Sequence, residues 1–247
     1  MHLDARSKLF IILSSIFSIS LVVGDIIGGK LIQTAPWGQP VTLTVGMIPF
    51  PITFLLTDVI NEFYGKRAAR FVTIVGFSMA LLAYLFIGIS ASIPIAPMTR
   101  DPGWKGVTED AFNNVFMSSR RMIAASLTAY LVSQFTDIAV FHALKERTGK
   151  RVLWLRASGS TAVSQLIDTV VINLLAWWGV MSGKTILNIM LSSYGVKFLI
   201  AIGLTPVIYA VHAVLQRFLN LDPVTLGPNG EVLGGTPKTL PSPQGLE

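Results

Sequence analysis

Long apolar runs separated by short polar stretches dominate the chain. Six of these runs are 18 to 25 residues long and end at Gly, Pro or charged residues. About 20 such residues cross about 30 Å of hydrocarbon at about 1.5 Å per residue. The pattern predicts an all-α membrane domain over residues 1–221 with six transmembrane helices, at 9–33, 47–64, 71–92, 122–144, 157–181 and 196–218.

The segments outside these runs have distinct compositions. Residues 93–121 are proline-rich at first and polar afterwards, which predicts a surface loop with a short interfacial helix. Residues 182–194 are apolar but short, so they form either a re-entrant segment or an early start of the last span. Residues 222–247 are rich in proline and glycine and are expected to be a disordered, dispensable tail. The first run carries no A-x-A cleavage site, so we expect it to be retained as a span.

The overall composition supports a membrane protein. Hydrophobic residues make up 52% of the 247 residues and charged residues 13%, against about 25% charged residues in soluble proteins. These values exclude a soluble enzyme, a fibrous chain and a disordered chain. The absence of cysteine excludes disulfides, thiolate nucleophiles and cysteine-bound zinc.

The positive charges predict the orientation in the membrane. Six spans place both termini on one side, and the segments on that side carry twelve of the 19 Lys and Arg residues. Five of the twelve lie in the loop 145–156. Because cytoplasmic loops carry the excess of positive charge, both termini are expected in the cytoplasm, with the protein in the cell inner membrane. The excess of basic over acidic residues therefore reflects the orientation of the protein in the membrane, and no nucleic-acid partner is expected.

The second span ends in a polar helix face. Asp58, Asn61 and Glu62 are spaced i, i+3 and i+4, so they share one face. A charge at bilayer depth costs several kcal/mol unless it is paired or hydrated, so ionisable residues there are functional candidates.

Spans four and five repeat the pattern S-Q-x-x-D, at 133–137 and 164–168. Each copy aligns Ser, Gln and Asp on one helix face. Because a short loop joins the two helices, an antiparallel pair brings Gln134 level with Gln165, at about the depth of Asp58. Such side chains can also act as interhelical hydrogen-bonding groups, but two matched pairs favour a binding site. The predicted lining is Asp58, Asn61, Glu62, Gln134, Asp137, Gln165, Asp168 and Lys197.

Other polar residues carry less information. Asp25 and Lys30 lie near the outer end of span one and are compatible with entry gating or with ordinary packing. His142 and His212 have no partner spaced to complete a metal site and are expected at the interfaces. No metal and no cofactor are therefore expected.

Four sequence blocks carry a family resemblance. The block PITFLLTDVINEFYGKRAARFV, the pair SQFTDIAVF and SQLIDTVVI, and YGVKFLIAIGLTPVIYAV resemble the signature blocks of the queuosine precursor transporter family, also called the VUT family. The resemblance covers about residues 9–218. It implies a six-helix inner-membrane transporter, not an enzyme, with a bundle similar to the vitamin-binding S-components of energy-coupling-factor transporters. The implied substrate is 7-cyano- or 7-aminomethyl-7-deazaguanine, taken up for tRNA queuosine synthesis.

The polar residues suit such a purine-like partner. A deazaguanine presents N1–H and a 2-amino group as donors and O6 as an acceptor, which match a carboxylate and a Gln amide. Phe54, Phe135, Phe141 or a Trp could stack on the flat ring. The lipid bilayer is the other expected partner, and the oligomeric state and any energising module stay open.

Three other functions remain possible. A vitamin-binding S-component would need a separate ATPase module. An intramembrane enzyme would use the Asp and Glu residues as acid, base or metal ligands. A structural membrane subunit would leave the matched polar stripes unexplained.

Overall fold

The computed structural model describes residues 4–34, 41–117, 120–148, 152–219, 223–226 and 232–234. These residues form helices joined by short connections, with two small antiparallel hairpins. The helices are α1 (Ala5–Ile27), α2 (Phe50–Phe63), α3 (Gly65–Ser92), α4 (Glu109–Phe116), α5 (Arg120–Thr148), α6 (Leu153–Trp177) and α7 (Gly183–Leu219). The hairpins pair β1 (Leu31–Thr34) with β2 (Val41–Thr44) and β3 (Thr225–Leu226) with β4 (Val232–Gly234).

Among the described residues, five helical segments, containing α1, α3, α5, α6 and α7, are long and apolar enough to cross a membrane. Large apolar side chains such as Phe71, Phe86 and Ile89 point outward from α3, as lipid-facing residues do. These features confirm the prediction of an all-α membrane protein. The exception among the six predicted spans is 47–64, where α2 has only 14 residues and is about 21 Å long at about 1.5 Å per residue.

The helix ends differ from the predicted spans for local reasons. The first predicted span continues to residue 33, but α1 ends at Ile27, where Gly28 and Gly29 follow. The apolar residues Leu31 and Ile32 belong to β1, which pairs with β2. An apolar run alone therefore did not distinguish the end of a helix from an adjoining strand.

Residues 183–194 are part of α7, so the early start of the last span is the alternative that the structure adopts. Ser182 accepts a hydrogen bond from the Thr185 backbone N–H at 3.2 Å and so supports the helix start. The short helix expected in the loop 93–121 is α4, whose first turn Thr108 caps.

The short helix α2 is the centre of the packing. Ten of its 14 residues are buried. Leu56 and Ile60 pack in a cluster with α1, α3 and α5, whereas Val59 and Phe63 pack with α1 and α7. The longer helices thus cover most of α2, and Ile52 is its large apolar side chain that stays exposed, at 45%.

The two ends of the described chain meet at the C-terminal end of α2. The last carbonyl groups of a helix have no partner within the helix. Here the Arg6 guanidinium donates to the Phe63 carbonyl oxygen, and the Val224 backbone N–H donates to the Glu62 carbonyl oxygen at 2.9 Å. Val224 is buried, and β3 and β4 follow it within the segment predicted to be disordered. The rest of the tail predicted to be disordered, 222, 227–231 and 235–247, lies outside the described residues.

This contact changes the expectation for the tail. Deleting residues 223–247 removes the Val224 hydrogen bond and its buried side chain, so we expect the free energy of unfolding to fall by about 1 to 3 kcal/mol. A chain truncated after Gly234 keeps both and serves as the control. Thermal melting of the two purified truncations measures the difference, and equal melting temperatures would show that the contact does not stabilise the fold.

Candidate functional site

The eight predicted lining residues lie on α2, α5, α6 and α7 and are buried or half-buried. Ion pairs hold Glu62 and Asp168, and these two sets of residues are named the inner cluster and the outer pair. The other predicted lining residues on α2, α5 and α6, apart from Asn61, are named the middle group and take part in no ion pair among the described residues.

The inner cluster consists of Glu62, Lys145 and Arg156. The Glu62 carboxylate accepts from Lys145 Nζ at 3.0 Å and from an Arg156 guanidinium nitrogen at 2.9 Å. Lys145 Nζ also donates to the Glu62 carbonyl oxygen at 3.1 Å. All three side chains are buried, so this carboxylate joins α2 to the end of α5 and the start of α6.

Asn61 lies next to the inner cluster and contacts His142. Asn61 Oδ1 and His142 Nε2 are 3.2 Å apart, and the imidazole donates there if Nε2 carries the proton. His142 is only 1% exposed, so its side chain lies inside the helix bundle. An unpaired imidazole would be costly at such a site, and the Asn61 amide provides its polar partner.

The middle group is Asp58 from α2, Gln134 and Asp137 from α5, and Gln165 from α6. Ser164 Oγ donates to Asp137 Oδ1 at 3.1 Å. Among the described residues, one oxygen of each of the four side chains is buried without a hydrogen-bond partner: Asp58 Oδ1, Gln134 Oε1, Asp137 Oδ2 and Gln165 Oε1. An unsatisfied buried polar group costs about 1 to 3 kcal/mol, so these oxygens require an explanation. Elsewhere on these three helices, Asn61 Nδ2, His142 Nδ1 and Thr169 Oγ1 are also buried without a hydrogen-bond partner among the described residues.

The helix register brings the two glutamines to nearly the same depth. The Ser164 to Asp137 hydrogen bond fixes the level at which antiparallel α5 and α6 meet. By this register Gln134 and Gln165 differ in height by two residues, or about 3 Å. The two copies of S-Q-x-x-D therefore face each other at nearly one depth.

The outer pair is Asp168 with Lys197. Lys197 Nζ lies 2.6 Å from Asp168 Oδ2 and 5.5 Å from the centroid of the Phe50 ring. Along α6, Asp168 is twelve residues, or about 18 Å, from Arg156 of the inner cluster. Asp168 and Lys197 thus neutralise each other at the opposite end of the polar layer from Glu62.

A narrow cleft, named the cavity, lies between α2, α6 and α7, and part of it is open to the surroundings. The space between its lining atoms is about 260 Å³ when the open part is included, but its enclosed part has only about 10 Å³, room for about one water molecule. Of the eight predicted residues, Asp58 is the one that lines it. The remaining lining is mostly apolar, with two hydroxyl groups: Phe50, Phe54, Leu55, Ala157, Ser158, Thr161, Ala201, Leu204 and Ile208.

Three residues of the site were not among the predicted lining. Lys145 and Arg156 were counted as loop charges, and His142 was assigned to an interface. The signal that could have identified the two cations is Glu62 itself, because a carboxylate in an apolar helix requires a counter-charge. Within the described ranges, no group of three His, Asp or Glu side chains is arranged to hold a metal ion.

Long apolar helices around a buried polar layer define a multi-pass membrane protein. The family described as "Putative vitamin uptake transporter" matches residues 44–211, and the chain belongs to this family of transporters. The "Probable queuosine precursor transporter" of Bacillus subtilis is 32% identical over 71% of this chain and 74% of its own length. The "Queuosine precursor transporter" of Escherichia coli is 29% identical over 55% of each chain. No solved structure matches the chain.

The inner cluster yields a stability prediction. Glu62→Gln removes the negative charge that Lys145 and Arg156 both contact, so we expect a loss of about 3 to 5 kcal/mol, the cost of breaking a buried ion pair. Glu146→Gln, at an exposed position of α5, is the matched control and should have little effect. Thermal melting in detergent measures both variants. Equal melting of Glu62→Gln and the wild type would show that the cluster does not stabilise the bundle.

Proposed function

We propose that the chain imports a queuosine precursor, 7-cyano- or 7-aminomethyl-7-deazaguanine, across the cell inner membrane. Two relatives from different bacteria support this proposal, because one is named a queuosine precursor transporter and the other a probable queuosine precursor transporter. The S-Q-x-x-D repeats and the polar face of α2 lie within the segment that the family matches.

The observation that carries the proposal is the set of four buried oxygens without partners on α2, α5 and α6. Side chains that only join helices would be expected to pair with one another, as Ser164 does with Asp137. The four oxygens have no such partner among the described residues, which supports a role for them as acceptors of N–H groups of a ligand. A deazaguanine offers N1–H and the 2-amino group as adjacent donors, and a Gln amide can donate to its O6.

The family description gives a reason to keep a second candidate, a vitamin-binding S-component. Such a protein depends on a separate ATPase module for energy. Co-purification with an ATPase pair, together with vitamin binding by the purified chain, would favour it over the precursor transporter.

The function is tested by restoration of queuosine in tRNA. A strain that can neither make nor import the precursor receives this chain, and each candidate base is supplied at low concentration. We expect queuosine to reappear with at least one deazaguanine base. Its absence with both bases, in cells that contain the folded protein, would contradict the proposal.

The two glutamines provide a direct test of the polar layer. Gln134→Ala and Gln165→Ala each remove a side chain that can bond a desolvated ligand, at a cost of about 1 to 3 kcal/mol, which is tenfold or more in affinity. Uptake at sub-saturating substrate measures this loss. Thr128→Ala is the control, because Thr128 is exposed on α5 and its hydroxyl bonds only within its own helix. Wild-type uptake by both glutamine variants would assign these residues to helix packing.

We further propose that six helices lie in the membrane, with α2 held inside a shell of five longer ones, and that both termini are cytoplasmic. The contacts of Arg6 and Val224 with the same end of α2 support a common side for the two ends of the chain. Lys66, Arg67 and Arg70 at the start of α3 add positive charge at that end. Of the basic residues in the loop 145–156, Lys150 and Arg151 lie outside the described residues.

Reporter fusions test this orientation. A fluorescent protein inserted between α5 and α6 should fluoresce, and alkaline phosphatase at the same site should be inactive, because the loop is placed in the cytoplasm. Phosphatase inserted at residues 101–108 should be active and is the matched control. Active phosphatase between α5 and α6 would overturn the proposed orientation.

A further inference from the structure

We propose that Asp58 is the carboxylate that accepts the N–H donors of the transported base, in the cavity whose aromatic wall is formed by Phe50 and Phe54. This inference rests on the proposed function. It narrows the location of the binding site from residues on four helices to one cavity, which Asp58 lines. It assigns the two adjacent N–H donors of the base to one of the intramembrane carboxylates, Asp58.

The carboxylates differ in their partners. Glu62 contacts two cations, and Asp168 contacts Lys197. Asp137 accepts from Ser164 Oγ, and Asp25 accepts from Ser126 Oγ at 3.0 Å. Asp58 is 3% exposed, and its Oδ1 has no partner among the described residues. Since it also lines the cavity, it is the carboxylate best placed to meet a ligand.

The spacing on α2 places the aromatic wall beside this carboxylate. Phe50, Phe54 and Asp58 recur every four residues, so they share one helix face, and all three line the cavity. The two phenyl rings have centroids 4.5 Å apart. Stacking on an aromatic ring depends little on which base is stacked, so this wall can hold any flat heterocycle. Asp58 then determines which edge of the heterocycle is accepted.

The opposite wall suits a flat ring. It is formed by small and aliphatic side chains of α6 and α7, including Ala157, Ala201 and Leu204. Thr161 adds a hydroxyl, whereas the Ser158 and Thr205 hydroxyls are 3.0 Å apart and bond each other. The enclosed space is water-sized, so α7 must move away from α2 for a planar base to lie between them with its polar edge toward Asp58.

The local charges favour a ligand that brings N–H donors. Asp58 lies within electrostatic range of Asp137 and of Glu62. The cations of the inner cluster offset the charge of Glu62, whereas Asp58 and Asp137 have no cation in direct contact among the ion pairs of the described residues. Two adjacent donors at Asp58 would stabilise negative charge where the protein does not, and a bidentate pair does so with strict geometry.

The test compares two ligands, the precursor base and the same base without its 2-amino group. We expect the wild type to prefer the amino base tenfold or more in uptake competition, and Asp58→Asn to reduce this preference to about threefold or less, because Asn presents one acceptor in place of two. Asp58→Ser, also neutral, gives a second measurement if Asp58→Asn does not fold. Asp25→Asn is the matched control and should keep the preference.

The aromatic wall has its own matched pair of variants. Phe54→Leu should weaken uptake of both bases about equally and leave their ratio unchanged, because stacking does not depend on the 2-amino group. Phe71→Leu, at a position that points outward from α3, should change neither.

The outcomes separate the two proposals. If the wild type transports neither base, the proposed function is wrong. If it transports the precursor but shows no preference for the amino base, or if the folded Asp58 variants keep the preference, the function stands and the assignment of Asp58 is wrong.

Discussion

Neutralisation of the Glu62 carboxylate is the interaction on which the bundle depends. A buried carboxylate is stable only with a counter-charge and hydrogen bonds around it, and Lys145 and Arg156 provide both from two other helices. The contact therefore determines where α2, α5 and α6 meet. The backbone N–H of Val224 and the Lys145 ammonium also occupy the Glu62 carbonyl oxygen, so the same residue closes the C-terminal end of α2.

The ion pairs lie at the two ends of the set of buried polar residues. Charges are paired at the inner cluster and at the outer pair, about 18 Å apart along α6. Between them lie buried oxygens that the described residues leave unpaired. Ion pairs hold the helices together, whereas a buried acceptor without a partner is stabilised when a donor arrives. Because Asn61 Nδ2 and His142 Nδ1 beside the inner cluster also lack partners among the described residues, the ion pairs, and not the unpaired atoms alone, mark the residues that support the fold.

Much of this organisation could be predicted from the sequence, and the exceptions have physical causes. Apolar length and i, i+3, i+4 spacing identified the long helices and the polar stripes, because both are properties of a single helix. The 14-residue length of α2 could not be predicted, since a run is equally apolar whether it faces lipid or other helices. Arg156 was assigned to a loop because composition does not tell which way a long side chain at a helix end points.

The direction in which a side chain points also decides which aromatic ring could stack on the ligand. The sequence alone did not distinguish among Phe54, Phe135 and Phe141. Phe135 is 38% exposed on the outside of α5, and Phe141 is fully buried in a hydrophobic cluster. Phe54 lies in the cavity, one helical turn from Asp58. In the proposed site the carboxylate would face two donors of a guanine-type edge. An adenine-type edge places a ring nitrogen acceptor there instead, and the resulting pair of opposed acceptors would exclude it.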